Sequence, residues 1–254
     1  MKNQTLLITG GCGHIGREIV KYFSVPYHPL HGNGQANLVY VCGTNEEKFK
    51  KLSFNNNVKF IKHDFNKDSD LKEKLIKINI QNIDVLINNA YFVKPSKPLN
   101  NTLGDFMYGL KGTVGIYYET IKECYPFLKE KSKIINIGSM YGNIIPDFEM
   151  YPTKDEINPI EYGVGKAGVS HLTKYLANYL SPKNINVNCI LPGSIPSNES
   201  LKNTKLMGEI INRTPLKRLG KPEDLLGLIY LLSNSSGDFI TGQCISVDGG
   251  FSNK

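Results

Sequence analysis

The chain has 254 residues, 40% of them hydrophobic and 21% charged, a composition that excludes a disordered chain and a small fold dependent on disulfides. At roughly 250 residues a single parallel α/β domain is common, so one domain over 1–254 is expected rather than two. The net charge of +7 comes from lysines scattered among Asn and Ile rather than gathered beside aromatics, which argues against nucleic acid; a Lys- and Asn-biased composition accounts for it, with steering of an anionic ligand such as a phosphate as the functional alternative.

In chain order, Thr5–Thr9 reads as a strand, because its short apolar run breaks at Gly10 and lacks the longer core of a signal peptide. A glycine turn and an amphipathic helix to about Phe23 follow. Ser24–Gln35, rich in Pro, Gly and His, fits no element. Then come strand Leu38–Cys42, helix Glu46–Leu52, strand Val58–Ile61, helix Asp70–Ile80, strand Val85–Ile87, helix Leu103–Leu128 and strand Lys133–Ile137. Tyr141–Ile160 is a long loop with three prolines, and loops of that length are uncommon unless they line a site. Helix Glu161–Leu180, strand Ile185–Ile190, helix Pro222–Ser233 and strand Cys244–Val247 complete the chain. Such alternation predicts a doubly wound parallel α/β sheet of about seven strands with helices on both faces.

No apolar run approaches the ~20 residues of a membrane span, so no membrane is expected. Cys12, Cys42, Cys124, Cys189 and Cys244 form no C-x-x-C pair and join no His at ligand spacing. No metal is expected, and reduced thiols in a cytoplasmic protein are the simplest account.

Gly11, Gly13 and Gly16 satisfy G-x-G-x-x-G immediately after the first strand. That context needs a tight turn and close backbone approach to a pyrophosphate, with the helix N-terminus facing the anion. The second strand ends Val41-Cys42-Gly43-Thr44-Asn45. It offers neither the acid that holds ribose hydroxyls nor a base for a 2′-phosphate. NAD and NADP both stay open, and the lack of a base at Gly43 or Thr44 tilts the reading towards NAD.

Tyr162 and Lys166 stand four apart on one helix face. Tyr118/Lys122, Tyr125/Lys129 and Tyr179/Lys183 share that spacing, so context must choose. The first pair follows the long loop, downstream of a strand ending in Gly138-Ser139, where parallel sheets bind ligands.

With these residues the chain resembles the short-chain dehydrogenase/reductase family over essentially its whole length. Thr9–Gly16 matches its cofactor turn, and Asn88-Asn89-Ala90 its N-N-A-G motif with Tyr91 for the glycine. Pro192-Gly193-Ser194-Ile195 matches its nicotinamide loop with Ser197 for the usual threonine. The segments Leu219–Asp224 and Ile240–Gly250 are close to the single-domain branch. The resemblance implies a catalytic set of Ser139, Tyr162 and Lys166. It further implies cofactor contacts from Gly10, Gly11, Gly13, His14, Ile15, Gly16, Thr44, Asp64, Phe65, Asn89, Ala90, Ile137, Tyr162, Lys166, Pro192, Ile195 and Ser197.

The implied chemistry is hydride transfer between nicotinamide and a secondary alcohol or ketone. Tyr162 would act as general acid/base, Lys166 would acidify it and bind the ribose, and Ser139 would hydrogen-bond the reacting oxygen. The family also implies a homotetramer or homodimer built through Leu103–Leu128, Glu161–Leu180 and the C-terminal strand.

Three departures stand out. Gly109 falls where the family has an asparagine whose water serves the proton relay. His14 replaces a glycine, as in the extended branch. Ser139 precedes Tyr162 by twenty-three residues, farther than single-domain members commonly have. This mixture resembles a subset from sugar-biosynthetic clusters, such as those for nonulosonic acids and flagellin glycosylation. A sugar or sugar phosphate is then the expected substrate, under a lid offering Tyr141, Asp147, Glu149 and Tyr151. A dehydratase or epimerase with retained NAD, or a weakly catalytic dinucleotide-binding protein, are the alternatives.

Overall fold

The computed structural model describes residues 4–25, 27–28, 32–33, 37–94, 99–153 and 156–253. Seven strands are named β1 Thr5–Thr9, β2 Leu38–Gly43, β3 Val58–Lys62, β4 Ile83–Asn88, β5 Leu128–Ile137, β6 Asn186–Pro192 and β7 Cys244–Val247. They form one parallel sheet in the order β3-β2-β1-β4-β5-β6-β7. After β3 the chain crosses to the other side of β1, so the order reverses between β1 and β4. The crevice above that reversal is where open α/β sheets bind ligands.

Among the described residues there are eight α-helices: α1 His14–Ser24, α2 Glu46–Lys51, α3 Leu71–Lys77, α4 Leu103–Leu110, α5 Ile116–Cys124, α6 Ile160–Leu180, α7 Thr204–Arg213 and α8 Leu226–Ser233. Successive strand residues point to opposite faces, and the core divides accordingly. Leu7, Leu86 and Ile134 pack with Leu75, Tyr117, Ile121 and Val169 of α3, α5 and α6. Leu6, Ile8, Val85, Ile87 and Ile135 pack with Ile19, Val20, Ile229 and Leu232 of α1 and α8. Both faces are covered, as the apolar strand runs predict.

A polar chain crosses this core. Asn88 Nδ2 donates to Asn136 Oδ1 (2.8 Å), Asn136 Nδ2 to Thr173 Oγ1 (2.9 Å), and that hydroxyl to the Val169 carbonyl (2.8 Å). All three side chains are buried, so each bond removes a desolvation penalty as well as linking β4, β5 and α6.

The structure corrects the sequence reading in four places. The expected helix Leu103–Leu128 is broken: α4 runs into a π-type turn at Lys111–Gly115, then α5, then a 3-10 turn at Tyr125–Phe127. The Gly112 carbonyl is taken by the Phe92 N–H (2.9 Å), which withdraws it from the helical ladder and opens the π turn. Leu128 already belongs to β5. The helix expected at Asp70–Ile80 ends at Lys77, with Asn79 left-handed at φ 57°. Helix α7 was not expected at all. Within Ser24–Gln35 a short antiparallel pair joins Tyr27–His28 to Gly32–Asn33, and the rest of that segment lies partly outside the described residues.

Candidate active site

The turn after β1 is shaped by its glycine backbone and held by two side chains, Thr9 and Asn89. Gly10 takes φ +67°, a left-handed conformation natural to glycine. Its N–H reaches the Cys42 carbonyl (2.8 Å), and its carbonyl accepts from Gly13 (2.9 Å). A Cβ on Gly16 would collide with that same Gly10 carbonyl, so only glycine lets α1 start here. Gly13 caps α1 with no side-chain hydrogen bond, which leaves the first-turn N–H groups facing the crevice as donors for an anion. His14 Nε2 is buried without a hydrogen-bond partner among the described residues. Asn89 staples β4 to the turn through the Thr9 and Gly10 carbonyls (both 3.2 Å), while Thr9 Oγ1 accepts from the N–H groups of Asn89 and Ala90 (both 3.0 Å).

Above the turn lies a cleft of about 710 Å³ lined by Gly10, Gly13, His14, Ile15, Thr44, Asp64, Phe65, Asn89, Ala90, Ile195 and Ser197. Most of the expected cofactor residues are therefore brought together. Gly11 and Gly16 are not; they lie behind the surface and govern the backbone path. Ile137, Tyr162, Lys166 and Pro192 instead line an adjoining cavity of about 310 Å³. The two spaces meet along Ile15, Asn89, Tyr91 and Ile195. The uncapped helix end, the unpartnered His14 nitrogen and the long cleft fit a dinucleotide.

Lys48 also lines the cleft, and its charge is felt at the Cys12 thiol, which burial nevertheless pushes up. The strand-end pattern does not reveal it, because Lys48 lies past the strand on α2. The signal lay four residues beyond Thr44, at the first turn of α2.

Ser139, Tyr162 and Lys166 converge at the adjoining cavity from the end of β5 and from α6. Ser139 Oγ accepts from the Tyr141 N–H (3.2 Å) and thereby caps the turn after β5. Lys166 is buried. It donates to the Ile137 carbonyl (2.8 Å) and to the Tyr117 hydroxyl (3.3 Å). Three rings surround its ammonium, with centroids at 5.3 Å for Tyr91, 5.0 Å for Tyr117 and 5.9 Å for Tyr162.

Burial governs the acidities. It lowers Lys166 to about 8 and raises Tyr162 to about 12, with a hydrogen bond from Ser139 working the other way. Lys166 faces the phenol ring and gives donors to the Ile137 carbonyl and the Tyr117 hydroxyl, so burial rather than the ammonium sets the Tyr162 direction, opposite to the acidification expected from the pair.

The floor of this cavity carries Tyr141, Tyr151, Glu156 and Asn158, and its wall Leu206, Met207 and Ile210 of α7. The Tyr141 and Tyr151 hydroxyls are 3.2 Å apart. Asp147 and Glu149, expected to face substrate, do not line it. Asp147 pairs with Arg213 at 2.9 Å and ties the loop to α7. A further cleft of about 620 Å³ beside Arg218 and Asp248 contains none of Ser139, Tyr162 and Lys166. The cluster of His63, Asp68 and Asp70 already holds the Lys74 ammonium, 2.9 Å from Asp68 and 2.8 Å from Asp70.

Comparison with known proteins agrees with this layout. A family model described as enoyl-(acyl carrier protein) reductase matches residues 30–252. The chain belongs to the short-chain dehydrogenase/reductase family, whose members are NAD(P)-dependent oxidoreductases. It is 29% identical to a 3-oxoacyl-[acyl-carrier-protein] reductase of Chlamydia trachomatis, covering 98% of this chain and 97% of that one. It is 30% identical to the 2-dehydro-3-deoxy-D-gluconate 5-dehydrogenase of Escherichia coli over 66% of this chain and 65% of the relative. Among solved structures, a short-chain dehydrogenase of Leptospira borgpetersenii with bound NAD+ superposes with a TM-score of 0.81 at 30% identity, over 99% of this chain and 94% of that one.

Against the short-chain dehydrogenase/reductase pattern, Gly109 now has a physical reason. A side chain there would run into the buried Glu161, which lies beside Tyr162 and within 3.4 Å of Asn101 Nδ2. The space beside α4 is filled from α6 instead.

Proposed function

We propose that this protein interconverts a ketone and a secondary alcohol with a nicotinamide cofactor, Tyr162 being the proton donor and acceptor. The observation that carries the reading is the convergence of Ser139, Tyr162 and buried Lys166 in a cavity continuous with the glycine-turn cleft. The cofactor, when bound, supplies or accepts the hydride. The first-turn N–H groups of α1 would hold its diphosphate, and Lys166 its ribose. Tyr162 keeps its proton at neutral pH and can give it to a carbonyl oxygen. Ser139 Oγ donates to the same oxygen as charge builds there.

The hydroxyls of Tyr141 and Tyr151, the carboxylate of Glu156 and the amide of Asn158 support a polar, hydroxylated substrate of the sugar or sugar-phosphate kind. The apolar α7 wall and the acyl-carrier names of the Chlamydia relatives support a second reading, reduction of a 3-oxoacyl thioester. Absorbance at 340 nm with sugar phosphates in one arm and an acetoacetyl thioester in the other separates the two. Turnover of either class without net NADH change would point instead to a dehydratase or epimerase. No turnover by wild type, or equal turnover by Tyr162→Phe, would sink the catalytic assignment.

Both NAD and NADP are proposed as ligands. The lack of a base at Gly43 and Thr44 supports NAD, since the strand itself offers no partner for a 2′-phosphate, and Lys48 supports NADP. Exposed Leu103, Met107, Tyr118, Tyr175 and Tyr179 on α4, α5 and α6 support a homodimer or homotetramer, which light scattering would measure. Free thiols at all five cysteines support a cytoplasmic setting.

A further inference from the structure

The place left by Gly109 raises the question of what holds Lys166 in this chain. Tyr117 stands on the first turn of α5, immediately after the π-type turn Lys111–Gly115. A π turn carries more residues per revolution than an α turn, so it rotates α5 relative to α4. The Tyr117 ring is fully buried. Its hydroxyl proton goes to the Ile137 carbonyl (2.7 Å), the same oxygen that accepts from Lys166 (2.8 Å). With that proton committed, the phenol oxygen faces Lys166 Nζ as an acceptor at 3.3 Å. Carbonyl, phenol and ammonium close a triangle, and one of the three ammonium donors stays available for a ribose hydroxyl.

We infer that Tyr117 is a positioning residue for Lys166, its neutral hydroxyl fixing the ammonium from the α5 side in place of the group that Gly109 lacks. The inference rests on the proposed role of Lys166. Other titratable groups around Nζ are Tyr91 from the segment after β4, Tyr162 on α6 and the Cys189 thiol on β6. None of these donates to or accepts from Nζ in the described hydrogen bonds. Burial also drives the Tyr117 hydroxyl well above the ordinary phenol range, so it remains a neutral acceptor across the working pH range.

The test titrates Lys166 directly in the full-length, cofactor-free protein carrying [ε-13C]lysine, with Lys166→Arg identifying the resonance. The wild-type midpoint is expected at about 8. Tyr117→Phe keeps the ring but removes the acceptor, and its midpoint should fall by about one pH unit. A purely structural role would change thermal stability and leave the midpoint where it was, which would overturn the inference. If Tyr117→Phe does not fold, a crystal structure of the wild type with NADH decides. Tyr117 Oη within hydrogen-bond reach of Lys166 Nζ supports the assignment, and separation of the two overturns it. NADH fluorescence titration of the wild type tests the nicotinamide reading on its own, so the two failures are distinguishable.

Discussion

Glu161 fills the volume in which a side chain at Gly109 would have to sit: a Cβ built at 109 lies 2.8 Å from Glu161 Cβ. Gly109→Asn, which restores the family residue, is therefore expected to destabilise the fold by about 1–3 kcal/mol through overpacking. Adding Glu161→Ala should recover part of that loss. Urea denaturation of both single variants and the double variant measures the coupling, expected at about 1 kcal/mol or more. Additive effects would show that the two positions do not share space.

Removal of the Tyr162 hydroxyl should separate chemistry from binding. Tyr162→Phe is expected to lower kcat by about 10²–10⁴-fold, the usual range for loss of a proton donor. NADH affinity, read by fluorescence, should stay within a few-fold of wild type.

The pH dependence follows from burial. Lys166 loses its proton as pH rises through about 8, whereas Tyr162 keeps its proton to about 12. NADH-dependent carbonyl reduction needs both protonated. Its kcat/KM should be level from pH 6 to near 8 and fall about tenfold per pH unit above that. A rate that rises across the same interval would show that Lys166 does not act as a cation.

Lys48 should discriminate the cofactors. Lys48→Ala is expected to weaken NADP by about three- to five-fold, the worth of an exposed ion pair, and to leave NAD unchanged. Paired calorimetric titrations with the two dinucleotides make the comparison.

The loop over the substrate cavity is held through α7. Arg213→Ala removes the partner of Asp147, and limited proteolysis should then cut within 141–153 faster than in wild type, with the remaining core intact. Equal cleavage rates would show that the ion pair does not restrain the loop.

The central strands were legible because they are buried on both faces and read as short apolar runs, as in Leu6–Ile8 and Val85–Ile87. Ser139, Tyr162 and Lys166 were legible because two share a helix turn and the third ends a strand. Helix α7 was not, since Leu206, Met207 and Ile210 stand among Lys, Asn and Glu with little contrast. Its start is set by Asn203, whose side chain accepts from the Leu206 N–H (3.1 Å). The π turn was hidden for a different reason: its cause is the Phe92 N–H, some twenty residues away in sequence. Tyr117 and Lys48 were likewise invisible, because only the folded crossovers carry them to the site.

The amides of Asn88 and Asn136 sit among aliphatic side chains that would tolerate many alignments of neighbouring strands. Sliding β5 by one position would reform oily contacts readily, yet it would leave an amide stranded in hydrocarbon. A few polar atoms thus act as a key that rejects shifted sheets, and the catalytic end of the molecule inherits its exact floor level from that rejection.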